Sequence, residues 1–349
     1  MNSTAIAGDW LCRLPKAELH LHLEGTIQAP TLVELSQRQD PSQPRPPLTL
    51  EEAKSLYRYH DFSGFMLAFK AVTERLRTPE DYELITYRML QRLAQQGVVH
   101  AEVYVSVGVI YYWRRAECER DPFLVDRIFA GMERGRKRGE RDFGTTLYWI
   151  FDAVRHFGPE EAARVFRKAA VLREAAPSIV GIGIGGDERR TGSEPFRDLY
   201  AEARGAGLHL TAHAGETVGP EGIWAALNIG AERLGHALSA IDDRELLDVL
   251  AERQVPLEIC VTSNLRTGCC NSLERHPLRQ YFEAGLMVTL NSDDPAMFES
   301  DIETEYLLAH SDFGFSAEHL RELAANSVEA SFLEPERKVA ILRQINSMS

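Results

Sequence analysis

Nothing in this chain offers a membrane span, because no window approaches the ~18 uninterrupted apolar residues that one requires. Cysteine is scarce and unpatterned: five residues (Cys12, Cys118, Cys260, Cys269 and Cys270) include no Cys-x-x-Cys pair. Neither a disulfide framework nor a zinc finger is indicated. Basic charge is in deficit. Against 52 Asp and Glu stand 39 Lys and Arg, a net charge of −13. That balance disfavours binding to duplex nucleic acid, since neutralising phosphates takes clustered cations. Internal repeats and long low-complexity segments are missing too, and residues 1–10 lack the basic-then-apolar profile of a secretory signal. These absences describe a cytoplasmic, globular protein. What is present suits a large core, with 44% of the 349 residues apolar and 26% charged.

Short apolar, β-branched runs recur at residues 17–23, 98–109, 145–154, 179–184, 208–212, 233–238, 256–261 and 286–290. Helix-spaced apolar patterns alternate with them, including 160–174, 194–204, 220–227, 242–253 and 276–284. Gly158-Pro159, Gly205-Ala206-Gly207 and Gly285 are read as helix ends leading back into strands. Eight such units predict an α/β protein, most economically a closed (β/α)8 barrel of the TIM type, with an open doubly wound sheet as the alternative. One spacing is uneven. A helical insertion over residues 28–96 follows the first strand, opening with a Pro-rich stretch at 40–47. Within it Phe62, Phe65, Met66 and Phe69 stand at helical spacing, which suits a packed amphipathic helix and also an apolar lid over the C-terminal rim.

The sharpest signal is Glu18-Leu19-His20-Leu21-His22-Leu23-Glu24-Gly25 in the first strand. Residues two apart on a strand face the same way, so both imidazoles project to one side, where a cation such as zinc accepts them. Partners follow at later strand ends: His213-Ala214-Gly215-Glu216 at the fifth, Gly235-His236 at the sixth and Asn291-Ser292-Asp293-Asp294-Pro295 at the eighth. Alone, His236 reads as a satisfied core histidine and Asp294-Pro295 as a helix cap. Four coincidences at the rim where barrels place catalysis favour a shared site instead. A second metal needs a bridging group, usually a Lys from the fourth strand; residues 179–188 carry none and offer only Asp187 or Glu188. One ion held by His20, His22, His213 and Asp293 is therefore expected, leaving Glu216, His236 and Asp294 for proton transfer and substrate contacts.

Three weaker patterns are set aside. Gly181-x-Gly183-x-x-Gly186 fits a dinucleotide fingerprint but lies inside a strand. His100-Ala101-Glu102 lacks the Pro-Cys-x-x-Cys that a cytidine-type zinc deaminase requires. The basic run 134–141 reads as a solvated helix end.

Taken with Leu14-Pro15-Lys16-Ala17 before the first histidine, these motifs and their order resemble those of the adenosine deaminase family, over residues 14–333. The resemblance implies one metal-dependent hydrolase barrel domain over residues 1–349 and one Zn2+ per chain on His20, His22, His213 and Asp293. Glu216 would donate a proton to N1 of a 6-aminopurine, His236 would orient an attacking water and help deprotonate or stabilise it, and Asp294 would meet N7. The Gly186 backbone would approach N3, and Glu24 would contact the ribose. Glu24 is a departure, since adenosine deaminases usually carry Asp there, whereas Glu is also seen in adenine and aminodeoxyfutalosine deaminases; it also suits a carboxylate partner for a ligating histidine. The expected reaction is hydrolytic deamination of a small purine nucleoside, adenosine or a 5′-modified adenosine such as aminodeoxyfutalosine. Neither nucleic acid nor membrane is expected as a partner. The alternatives are an adenine deaminase or another mononuclear metal-dependent amidohydrolase.

Overall fold

The computed structural model describes residues 8–38 and 46–348. Residues 1–7, 39–45 and 349 lie outside the described residues, and with them most of the Pro-rich stretch. Eight strands follow in order: β1 (Lys16–His22), β2 (Val98–Val105), β3 (Thr146–Val154), β4 (Ile179–Gly185), β5 (His209–Ala214), β6 (Arg233–His236), β7 (Leu257–Ile259) and β8 (Val288–Leu290). Each lies parallel to the next in sequence order. The circle closes through a parallel bridge between Leu21 and Asp293. An ordered, closed ring with helices outside is a (β/α)8 barrel, not an open sheet. β1 and β4 are buried along their whole length, as expected of strands covered by helices on one side and barrel interior on the other.

Two local readings of the sequence are corrected. The run 98–109 is not one strand: β2 stops at Val105 and residues Val107–Trp113 form a helix. Val107, Val109, Ile110 and Tyr111 are all buried there, and an apolar run that packs on several sides carries no periodicity to tell helix from strand. Gly158-Pro159 opens a helix rather than ending one. Gly158, at φ 95°, precedes the helix Pro159–Arg173 with Pro in its first turn, where the missing N–H costs nothing.

Among the described residues, four helices occupy the insertion after β1: Ala29–Gln37, Leu50–Leu56, Phe62–Thr73 and Pro79–Gln95. Asp61 caps the third through the Gly64 amide at 2.7 Å, and Thr78 with Asp81 forms a reciprocal capping box on the fourth. Phe62, Phe65 and Phe69 face inward. The basic run lies on the helix Leu124–Phe143, and Arg134, Arg136, Arg138 and Arg141 each meet a carboxylate, so that face is neutralised rather than free for a polyanion. His100 and Glu102 face Thr146 and Arg233 in the buried barrel wall. All five cysteines are free thiols. Among the described residues no helix is long and apolar enough to cross a membrane.

Candidate active site and metal centre

Strand parity and barrel closure bring four donors together. His20 and His22 share one face of β1, His213 stands on β5 and Asp293 follows β8; their donor atoms lie within 4.8 Å of one another. Asp293 Oδ1 is 3.4 Å from His20 Nε2 and 3.3 Å from His22 Nε2, and the Nε2 atoms of His22 and His213 are 3.2 Å apart. The remaining polar atom of three of these side chains is engaged elsewhere. Glu258 Oε2 holds His20 Nδ1 at 2.7 Å, the Ile184 carbonyl faces His213 Nδ1 at 3.1 Å, and the Ser263 hydroxyl donates to Asp293 Oδ2 at 2.6 Å. Outer partners of this kind fix ring orientation and tautomer. The backbone is strained here as well. Asp293 at φ 63° and His236 at φ 65° occupy the left-handed region that side chains other than Gly rarely adopt.

The donor set suits a divalent cation. His20 Nε2 is buried with no hydrogen-bond partner, a costly arrangement unless something positive faces it. Burial depresses His22 to about 4 and His213 well below its usual value, so both rings are neutral donors at neutral pH. Burial opposes charge on His20 too, but Asp293 and Glu258 outweigh it and hold its pKa at about 10. Asp293, despite burial, is kept well below the carboxylate range by His20 and its neighbours. The pocket thus demands positive charge at one point, and three imidazoles with one carboxylate are a zinc-type donor set.

A cavity opens above these donors. Its floor includes His22, His213, Asp293, Glu216, His236 and Asp294; Gly186 and Asp152 line one wall, and Phe62, Phe65, Met66 and Phe69 form an apolar roof. The amphipathic stretch in the insertion therefore both packs and covers the cavity. Glu216 is pushed up to about 8 by burial, with Asp293 and Glu188 adding to it, so it holds a proton at neutral pH. Its Oε1 lies 3.8 Å from His236 Nε2. Asp294 is raised well above its usual value by burial and by Asp293, and its Oδ1 has no partner. Asp294 does stand at the N-cap of the helix Pro295–Phe298, with Pro at its first position, but its side chain caps no amide and is left to the cavity. Gly25 makes room for it: a Cβ at position 25 would lie 2.0 Å from Asp294 Oδ1. Gly186, at φ 89°, turns the chain just after β4. The Gly-rich pattern of β4 has a steric cause, since a Cβ at Gly183 would come within 2.9 Å of Asp152 and Tyr104.

Glu24 does not partner a ligating histidine. Its Oε1 accepts the Ser106 amide at 3.1 Å, Oε2 is unpartnered, and burial raises it to about 7. The carboxylate that does serve His20 is Glu258, which sequence reading passed over as part of an apolar strand. Glu188 bridges nothing either. It accepts the amides of Gly215, Glu216 and Thr217 at 2.9, 2.9 and 3.1 Å, pinning the loop that carries Glu216, while Asp187 pairs outward with Arg189. Asp152, buried and raised to about 8 by desolvation, is a further carboxyl that sequence reading missed.

A family model described as adenosine deaminase matches residues 15–348. An aminodeoxyfutalosine deaminase of Streptomyces coelicolor is 37% identical over 97% of this chain and 85% of its own length. An adenine deaminase of Ectopseudomonas mendocina is 33% identical over 92% of this chain and 98% of its own. Among solved structures, an adenine deaminase from Arthrobacter aurescens superposes with a TM-score of 0.86 at 32% identity, over 95% of this chain and 98% of that one. An amidohydrolase from Burkholderia ambifaria, solved with bound Zn, gives the same TM-score of 0.86 at 26% identity over 99% and 94%. With motif order, barrel and buried donor cluster all in agreement, the chain belongs to the adenosine deaminase family of hydrolytic deaminases.

Proposed function

We propose that this enzyme hydrolytically deaminates a 6-aminopurine nucleoside, adenosine or a 5′-modified adenosine such as aminodeoxyfutalosine, and releases ammonia. The observation that carries the reading is the meeting of the donors His20, His22, His213 and Asp293 with two carboxyls held protonated, Glu216 and Asp294, on one cavity floor. One zinc ion per chain on those four donors would supply Lewis acidity and make water nucleophilic near neutral pH. Glu216 donates its proton to ring N1, drawing electron density from C6. Asp294, also protonated, donates to N7 and sets the purine plane. His236, buried and neutral, faces the attacking oxygen. The backbone of Gly186 meets N3, and Glu24 offers its unpartnered oxygen to a ribose hydroxyl. Residues 28–96 act as a lid within the single barrel domain, their aromatic roof excluding water from the reacting face.

Nucleoside is favoured over nucleotide because, among the described residues, no Lys or Arg lines the cavity, which is rich in carboxyls. It is favoured over the free base because Glu24 keeps a buried oxygen without a partner, an acceptor for a ribose hydroxyl that adenine lacks. Ammonia release from adenosine, 2′-deoxyadenosine, 5′-deoxyadenosine, methylthioadenosine, aminodeoxyfutalosine and adenine tests this. The nucleosides should dominate by kcat/KM, and adenine as the best substrate would overturn the assignment.

Glu258 gives a second test. It neutralises and orients His20, and it is itself held by Arg233 at 2.7 Å and by the Tyr104 hydroxyl at 3.0 Å. Glu258→Gln should weaken metal retention by about 10- to 100-fold, the usual consequence of losing an outer carboxylate. Competition with a chromogenic chelator reads that directly; unchanged retention would remove Glu258 from this role.

A further inference from the structure

His236 can act on an attacking oxygen in two opposite ways, and which one depends on where its single proton sits. A neutral imidazole whose Nε2 is bare takes a proton, whereas one protonated at Nε2 donates a hydrogen bond. The side chain does not decide this alone, because His236 Nδ1 lies 3.0 Å from the Asn264 side-chain amide nitrogen. Asn264 in turn has its Oδ1 3.2 Å from His276 Nε2, and His276 Nδ1 lies 3.2 Å from the backbone nitrogen of Leu278. The last link has only one polarity, since a backbone N–H always donates.

The polarity then propagates. His276 Nδ1 accepts from Leu278 and is bare, so the proton of the neutral ring is on Nε2. His276 is 4% exposed and is pushed by burial to about 4, which keeps it neutral. Its Nε2–H requires an acceptor, which fixes the carbonyl oxygen of Asn264 on that side and the NH2 on the other. The Asn264 NH2 donates to His236 Nδ1, so that atom is bare as well. Asn264 and His236 are 0% and 1% exposed, which leaves water little chance to supply the opposite pattern. Reversing the amide would set its NH2 against the His276 Nε2–H, two donors face to face.

We infer that the chain Leu278 N–H, His276 and Asn264 locks His236 in the Nε2–H tautomer, so that His236 meets the attacking oxygen as a hydrogen-bond donor and not as its base. The cavity-facing Nε2–H points between Glu216 Oε1 at 3.8 Å and Asp293 Oδ2 at 3.9 Å, the space in which the nucleophile forms. Asn264 and His276 are positioning residues: neither lines the cavity, and both work through His236. Negative charge developing on the oxygen is stabilised by this N–H, in the manner of a preorganised oxyanion donor. The inference rests on the placement of His236 opposite the attacking oxygen proposed above.

The test uses metal-loaded enzyme selectively labelled with 15N-histidine, the His236 signals being assigned by their loss in His236→Gln. Nitrogen chemical shifts distinguish a bare from a protonated ring nitrogen, and the expected spectrum shows bare Nδ1 with protonated Nε2. Asn264→Asp replaces the donor with an acceptor of nearly the same shape and should move the proton to Nδ1. It should lower kcat by about 10²- to 10⁴-fold with little change in KM, because forcing the wrong tautomer on a catalytic histidine has been worth as much as ~10⁴ elsewhere. Asn264→Ala, which leaves Nδ1 without a directing partner, should give mixed tautomers and a smaller loss. A bare Nε2 in the unsubstituted enzyme would overturn the inference, as would full activity in an Asn264→Asp enzyme whose tautomer has demonstrably switched. Near-normal turnover of His236→Gln would overturn instead the placement of His236 on which the inference stands.

Discussion

Glu216→Gln is expected to keep its metal and lose turnover by about 10²- to 10⁴-fold, the range that one general acid contributes. The substitution preserves size and a hydrogen-bond donor but removes the transferable proton. Glu216 can supply that proton at neutral pH because burial, Asp293 and Glu188 together hold it to about 8. Its amide stays anchored by Glu188 whichever side chain is present, so position 216 should not drift. Ammonia release measures the first half of this expectation and elemental analysis the second. Turnover within tenfold of the unsubstituted enzyme would remove Glu216 from its role; loss of metal along with activity would make it a ligand rather than an acid.

Stripping the metal is expected to abolish turnover and to lower the unfolding temperature, with both restored by one equivalent of zinc per chain. The cost to stability follows from what would be left behind. The buried Asp293 carboxylate would then be offset only by a proton on His20, and buried charge with poorer compensation destabilises the fold. A ligand present at a thousandfold excess over its Kd stabilises the folded state by about 4 kcal/mol, so the difference between the two forms should be easily resolved. Thermal unfolding with and without chelator, alongside ammonia release, checks both effects. Full activity after exhaustive chelation would contradict the assignment of His20, His22, His213 and Asp293, and two ions per chain would contradict the mononuclear reading.

The groups proposed to hold the metal and meet the reacting atoms were legible because local rules announce them. Parity on β1 places His20 with His22, and positions at or next to strand ends place His213, His236 and Asp293 on one rim. The groups that hold them in place were not. Glu258 reaches His20 across 238 residues of sequence, and within its own strand it is one acidic residue among Leu257 and Ile259. Glu188 acts on amides 27–29 residues away, and Asn264 meets His236 across 28. Such contacts depend on register between strands, which no window of sequence contains. The misread run 98–109 has a related cause. Full burial erased the alternation that would have separated β2 from the helix beside it.

The closing bridge of the barrel has a consequence for how the chain is tied together. β1 and the segment after β8 meet at a seam sewn by His22 N–H to the Asp293 carbonyl at 2.9 Å, Asp293 N–H to the His20 carbonyl at 3.0 Å, the Asn291 side chain on the Leu19 and His20 amides, and the Ser292 amide and hydroxyl on Glu18. Three of the four donors sit on that seam, His20 and His22 on one bank and Asp293 on the other. A cation held there, as proposed, would work as a rivet between the first and last strands, closing a loop of about 270 residues much as a cross-link does, where the entropic gain grows slowly but steadily with loop length. Catalytic competence and integrity of the ring would then depend on the same few bonds, so losing the ion would loosen the join as well as stop turnover.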